Sequence, residues 1–299
     1  MANLETMPEL PREDFDRVVF ETGMVRIGAF RCHPSHPQFH DTGPARNCCF
    51  VFPRTAVEIQ HEHEPAFVGN PNVVTFYNRG QLYQRNAISF EGDRCDWFGV
   101  ETGVVREAVH AVDPSVDARP EWPFRFTRCW SDSSTYLLQR QVFERVITGK
   151  GEEPIAIEET VLMLLERVLR FAYRAAQPAV HAIRFKQYDQ VHGMEVILSE
   201  RLDEYLTLAD IASEIGMSVF HMCRIFRRTT GMTMWQYRHK LRLREALEDV
   251  SESPRSIVDI ALESGFSSHS HFTSQFHREF GRTPSTIRSW NRGRWSARF

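Results

Sequence analysis

The 299-residue chain has no apolar run approaching the roughly 18 residues that a membrane-spanning helix needs. Its start, Met1-Ala-Asn-Leu-Glu-Thr, lacks a basic segment and an apolar core, so no secretory leader is expected. Cysteine is sparse. Cys32, Cys48, Cys49, Cys95, Cys129 and Cys223 form no dense framework, and free thiols in a reducing cytoplasm are the expectation. There is no Gly-rich phosphate loop, no nucleophile elbow and no paired catalytic carboxylates, so those enzyme chemistries are not expected. A large net charge is also lacking. At −3 overall, the net charge by itself argues only weakly against a general nucleic-acid binder.

What is present is an ordinary globular composition, 42% apolar and 25% charged, with length for two domains. Charge is divided unevenly. From His181 onward 17 Lys/Arg stand against 14 Asp/Glu, while the preceding residues carry 19 against 25. Ser218 to Arg244 holds seven Lys/Arg and no acid. A cationic stripe inside an acidic chain points to a defined polyanion site.

That stripe lies within an internal repeat. Thr207-Leu-Ala-Asp210-Ile-Ala212-Ser-Glu-Ile-Gly216-Met-Ser218 returns 49 positions later as Ser256-Ile-Val-Asp259-Ile-Ala261-Leu-Glu-Ser-Gly265-Phe-Ser267. Ser or Thr three residues before Asp has the form of a capping box. Leu208, Ile211, Ala212 and Ile215 follow at helical spacing, and Gly216 permits a left-handed turn. A second helix starts at once, with Met222, Ile225 and Phe226 inward in copy one and Phe272 and Phe276 in copy two. Two short helices about a Gly-containing turn make a helix-turn-helix, here in tandem. Each copy closes alike, at Gly231-Met-Thr233 and Gly281-Arg-Thr283-Pro284.

These residues resemble the DNA-binding domain of AraC/XylS-type transcription regulators. Gly265-Phe266, Phe272, Phe276 and Gly281-Arg-Thr-Pro284-Ser-Thr-Ile287-Arg288 carry the resemblance, which covers about the last 110 residues. The chain departs from the family pattern at Ile287, usually aromatic, and Met234, usually Pro. The resemblance implies a DNA-binding regulator that meets promoter DNA and RNA polymerase. It places Phe220, Cys223 and Arg224 of copy one, and Ser270, His271 and Ser274 of copy two, at base-contact positions. A guanidinium at Arg224 suits guanine O6 and N7, although phosphate binding alone is the plainer reading. His221, Arg227 and Arg228 face outward beside them. Arg238, Lys240, Arg242 and Arg244 read as phosphate contacts or surface charge, and Arg242 is carried as a DNA-binding candidate.

The preceding residues read differently. Residues 1–20 are acidic and contain proline, which suggests a loose arm. Short β runs follow at Val25–Phe30, Cys49–Phe52, Ala56–Ile59, Val73–Tyr77 and Asp96–Val100, separated by turn signals. Such spacing suggests a sandwich or small barrel. The family's front domain is often cupin-like, and the same fold is expected here. Ser133 to Thr148 and Glu158 to Ala175 read as helices. The second is apolar on more than one side, and the resemblance makes it a dimerisation helix centred on Leu165 and Val168; packing onto the barrel is the alternative.

The expected architecture is therefore α+β with two domains. An arm at 1–20 precedes a cupin-like β-barrel with a helical appendage at 21–176. A linker at 177–183 leads to an all-α tandem helix-turn-helix at 184–299. One enzyme-like cluster stands out, His61-Glu-His63-Glu64. On one strand face His61 and His63 could share a metal, as cupin enzymes do with a His-x-His pair. The further carboxylate and third His are missing at workable spacing, as no His lies between His63 and His110. Cys32-His33, His36, His40 and Cys48-Cys49 match no zinc pattern. No metal or cofactor is therefore expected. The leading expectation is a cytoplasmic, homodimeric, non-enzymatic transcription regulator controlled by a small-molecule effector. Its rivals are a metal-dependent cupin enzyme fused to a DNA-binding domain, and a regulator whose front domain only dimerises. The effector, the operator and the sign of regulation are not legible.

Overall fold

The computed structural model describes residues 15–41, 43–149, 153–175 and 185–290. The expected linker at 177–183 and residues 1–14 of the expected arm lie outside them. No described helix is long and apolar enough to cross a membrane.

The strands come first: β1 Asp16–Glu21, β2 Val25–Cys32, β3 Cys49–Pro53, β4 Val57–His61, β5 Phe67–Gly69, β6 Val73–Tyr77, β7 Tyr83–Ala87, β8 Asp93–Val100 and β9 Arg128–Trp130. They form a six-stranded sheet in the order β1-β2-β8-β3-β6-β9 and a three-stranded sheet in the order β5-β4-β7. Among the described residues every pairing is antiparallel and no ladder joins the two sheets. A single closed sheet is thus not drawn by the hydrogen bonds. What the chain has is an N-terminal sheet portion followed by helices.

Residues 16–20, expected as arm, instead pair with β2, from Asp16 opposite Phe30 to Glu21 opposite Arg26. Two contacts hold them there. Trp97 Nε1 donates to Asp16 Oδ1 at 2.7 Å, and Phe15 packs edge-on against Phe30 with ring centroids 5.4 Å apart. Neither partner is near in sequence, so the acidic, Pro-bearing start hides the strand.

The helices are α1 Thr102–His110, α2 Ser133–Thr148, α3 Pro154–Ala175, α4 Phe185–Glu200, α5 Leu208–Ile215, α6 Val219–Thr230, α7 Met234–Glu252, α8 Ile257–Glu263, α9 His269–Phe280 and α10 Pro284–Trp290. In α3 the stripe of Val161, Leu164, Leu165 and Val168 is buried. Leu165 and Val168 lie inside the hydrophobic cluster that also holds Val25, Phe50 and Phe143. The outward face, with Glu159, Met163, Glu166 and Arg170, is mostly charged. A dimer seam on Leu165 and Val168 is therefore corrected: those side chains serve the intramolecular core.

The helical portion is divided. Val191, Met194, Ile211, Met222, Phe226 and Tyr237 make a cluster of their own around copy one. Leu247 of α7, with Ile260, Phe272 and Phe276 of copy two, instead joins the cluster that fills the N-terminal portion. Copy two is thus fused to the front of the molecule by apolar packing.

Candidate nucleic-acid interface

The two helix-turn-helix units are set by local chemistry. In copy one Thr207 Oγ1 accepts from the Asp210 N–H at 3.2 Å, and Asp210 Oδ2 accepts from the Thr207 N–H at 2.8 Å. That reciprocal pair satisfies two otherwise open donors of the first turn. Copy two has half of it: Ser256 Oγ accepts from Asp259 N–H at 3.0 Å and donates to Asp259 Oδ2 at 2.6 Å. The turn then passes through Gly216 at φ 71° and Gly265 at φ 77°, the left-handed region that favours glycine. Ser218 and Ser268 cap α6 and α9.

Each second helix buries one face and leaves the other open. On α6, Met222, Ile225 and Phe226 are buried, while Arg224, Arg227 and Arg228 are exposed and His221 and Cys223 half-buried. Phe220 is 79% exposed and stands beside the exposed Arg224 on the open face of α6. On α9, Phe272 and Phe276 are buried, and Ser270, His271 and Ser274 are exposed. His221 Nδ1 lies 3.2 Å from an Arg224 guanidinium nitrogen, and His271 Nδ1 lies 3.2 Å from Ser267 Oγ. Arg228 donates to Gln187 at 2.9 Å. A groove of about 920 Å³ opens beside α6, floored by Leu198, Ile211 and Met234 and walled by Phe220, Arg224 and Trp235.

The rest of the cationic stripe turns inward. Arg244 is fully buried and donates to the carbonyls of Pro71 and, at 2.8 Å, Ser131. Its guanidinium lies 4.8 Å from the Tyr136 ring centroid. Arg242 donates to Leu202 O at 2.8 and 3.0 Å, and its guanidinium carbon would stand 3.0 Å from a Cβ added at Gly265. Arg238 donates to the carbonyls of Arg201 and Leu202 at 2.9 Å each. Lys240 pairs with Glu279 beside Ser133. The reading of Arg244 as a phosphate contact or surface charge is therefore corrected, whereas Arg242 is half-buried with its Nε and Nη2 on the Leu202 carbonyl. Arg244 Nη1 and Nη2 each serve a backbone carbonyl, and Arg242 Nε and Nη2 share the Leu202 carbonyl with Arg238.

A signal for this was present in the sequence. Tyr237, Leu241, Arg244, Glu248 and Ser251 recur at alternating steps of four and three. That is a second helical stripe on α7, and it faces the N-terminal portion. Its polar members made it resemble a solvated face.

The enzyme-like cluster also resolves. β4 ends at His61, and His63 sits in the following turn with φ 65° and its side chain 90% exposed. The two rings therefore do not share a strand face. His61 is buried, its Nδ1 2.8 Å from Gln81 Nε2. Gln81 Oε1 already accepts from the Asn78 N–H at 2.9 Å, so Gln81 donates to Nδ1 and the His61 proton sits on Nε2. Burial lowers the His61 pKa to about 4. The second cluster is dispersed: His33 meets Ser35, His36 packs on Phe15, and His40 bonds Arg85 O at 3.0 Å. Among the described residues no three His, Cys, Asp or Glu side chains converge for a metal. The six cysteines are free thiols.

Between the sheets lies a cavity of about 410 Å³, lined by Phe30, Tyr77, Tyr83, Arg85, Cys95 and Trp97 among others. Arg85 is held there by Asp93 at 2.7 Å and by the Phe30 ring, 4.4 Å from its guanidinium carbon. No sequence pattern flagged these residues, because they come from four separate strands.

Comparison with known proteins agrees with this geometry. A family profile described as "Helix-turn-helix domain" matches residues 211–289. The probable transcription factor PqrA of Proteus vulgaris is 41% identical over 86 residues, which are 29% of this chain and 70% of that protein. The regulatory protein SoxS of Salmonella typhimurium is 35% identical over 91 residues, 30% of this chain and 85% of that one. The chain belongs to the AraC/XylS family of transcription regulators. As an AraC/XylS member it is a sequence-specific DNA-binding regulator. A solved AraC-type regulator from Chromobacterium violaceum is 28% identical, covering 36% of this chain and 97% of that chain at a TM-score of 0.34. These matches span from about a quarter to 36% of this chain. What the N-terminal portion binds therefore has to be argued from its own residues.

Proposed function

We propose that this regulator reads promoter DNA with α6 and α9 together, under control of a small molecule held between the two N-terminal sheets. The observation that carries the reading is the pair of capped second helices whose outward faces stay uncovered. Phe220, His221, Cys223, Arg224, Arg227 and Arg228 form the reading face of copy one. Ser270, His271 and Ser274 form that of copy two. Arg242 lies beside this face, with Nε and Nη2 on the Leu202 carbonyl and Nη1 left for a phosphate in this reading. α7 has 19 residues and so runs roughly 28 Å at about 1.5 Å per residue. That length suits two helices placed near one turn of DNA apart, about 34 Å, with modest bending of the duplex.

Residues 21–176 are the sensing portion in this reading, and 184–299 the DNA-binding portion. The two sheets are taken as opposite walls of a cupin-like barrel, and the 410 Å³ cavity as the effector site. Catalysis is not part of the proposal, because His61 is held by Gln81 and His63 points away from it. Homodimerisation, contact with RNA polymerase and a cytoplasmic location belong to it through family membership. The effector is left open. Selection of duplexes from a random pool by the purified full chain tests the reading. It should enrich two short motifs with centres about 10 base pairs apart. Failure to enrich any sequence would overturn it.

A further inference from the structure

Seven charged groups meet where the N-terminal portion touches α7, and DNA reading uses none of them. Asp96 of β8 accepts from Arg31 and from Arg140 at 2.7 Å each. Arg140 of α2 also reaches Glu144 at 2.8 Å, Glu248 at 3.2 Å and Glu252 at 2.7 Å. Arg54 pairs with the same Glu248 and Glu252 and lies 3.8 Å from Asp96. The Tyr136 hydroxyl donates to Glu248 at 2.9 Å. Arg54, Asp96 and Arg140 are buried. Burial would raise the Asp96 carboxyl, but Arg54, Arg31 and Arg140 overcome it and hold the group below its usual range. Well-packed apolar residues hold an interface as well as a buried ion cluster does, or better. A buried ion cluster is therefore weak evidence for stability alone. Its distinguishing property is that a small displacement of one charge disturbs every partner.

β8 supplies such a displacement. Successive side chains of a strand face opposite sides. Asp93, Cys95 and Trp97 line the 410 Å³ cavity, and Asp96 between them faces the ion cluster. β2 repeats the arrangement: Phe30 lines the cavity, and its neighbour Arg31 donates to Asp96. One strand pair thus carries the cavity wall on one face and the cluster on the other. α7, on the far side of the cluster, joins both helix-turn-helix units.

We propose that the Arg54–Asp96–Arg140–Glu248–Glu252 cluster couples the cavity to DNA reading, positioning α7 and through it both α6 and α9. A ligand that displaces Cys95 or Trp97 shifts Asp96, and the cluster passes that shift to α7. This rests on the effector reading of the cavity, but its test needs no ligand.

The test is a double-mutant cycle in the full chain, read as Kd for the selected duplex. Cys95→Phe intrudes on the cavity and Glu252→Gln weakens the cluster. Each should change Kd by itself. Together they should depart from additivity by about threefold or more, as contacting or coupled positions do. Amide exchange in α7 should rise in both single variants. Glu166→Gln, which breaks a surface pair on α3, serves as the control and should leave Kd unchanged. If Cys95→Phe does not fold, Trp97→Phe takes its place in the cycle. Additive changes, or a Glu252→Gln variant with unaltered Kd, would overturn the coupling. A small molecule that binds the cavity saturably alongside an additive cycle would sink the coupling and leave the effector reading standing.

Discussion

Arg244 separates a positioning residue from a DNA contact. Arg244→Ala removes a buried guanidinium that donates to the carbonyls of Pro71 and Ser131 and lies 4.8 Å from the centre of the Tyr136 ring. Each hydrogen bond from a charged donor contributes about 1.5–3 kcal/mol net, so the two together are worth about 3–6 kcal/mol. Relief of the desolvation of a buried cation offsets part of that sum. A net loss of about 3 kcal/mol follows. At about 2–4 °C per kcal/mol for a chain portion of this size, the melting midpoint should fall by roughly 6–12 °C. Thermal unfolding measures the first quantity, and the salt dependence of operator binding measures the second. A lost phosphate contact lowers the salt slope by about one. Arg244→Ala should leave that slope unchanged in whatever fraction remains folded. A variant with wild-type melting and a slope reduced by about one would refute the reasoning and return Arg244 to the DNA face.

Two other sites give sharp expectations. Arg224→Ala should cost about 1–3 kcal/mol in specific binding and relax preference at one base pair, whereas His271→Ala should cost less; equal losses on specific and random duplexes would reduce Arg224 to a phosphate contact. His61 is buried and its pKa is lowered to about 4, so the unfolded chain takes up the proton more readily. Its contribution, about 3 kcal/mol, is present above pH about 6.5 and is lost as pH falls toward 4. Stability measured from pH 7 to pH 4 should decline less steeply in His61→Gln than in the parent, and identical slopes would contradict the assignment.

The sequence was informative wherever one local rule decided the outcome. The tandem units were legible because caps, apolar spacing and turn glycines all repeat at 49 residues. β2, β3, β4, β6 and β8 were legible from short β runs between turns. β1 was not, since its place depends on Trp97 and Phe30. The division of the cationic stripe was missed for a related reason. Arg224, Arg227 and Arg228 stay outward because the apolar face of α6 fixes them there. Arg238, Lys240, Arg242 and Arg244 lie on α7, which is buried along two stripes, and one of those stripes is polar. A charged side chain on such a face looks solvated until its carbonyl partners, more than 100 residues distant for Arg244, are in view. The His61–His63 pair failed at a boundary: the strand ends at His61, two residues short of His63, so alternation does not reach it.

The central claim is that one chain presents both reading helices to one stretch of DNA. Hydroxyl-radical footprinting of the full chain on its selected duplex, with stoichiometry fixed by sedimentation, tests it most directly. The account predicts that each bound chain shields two successive major grooves on one face of the helix, with copy one giving the stronger protection because Arg224, Arg227 and Arg228 belong to it. A single shielded major groove per chain would contradict it.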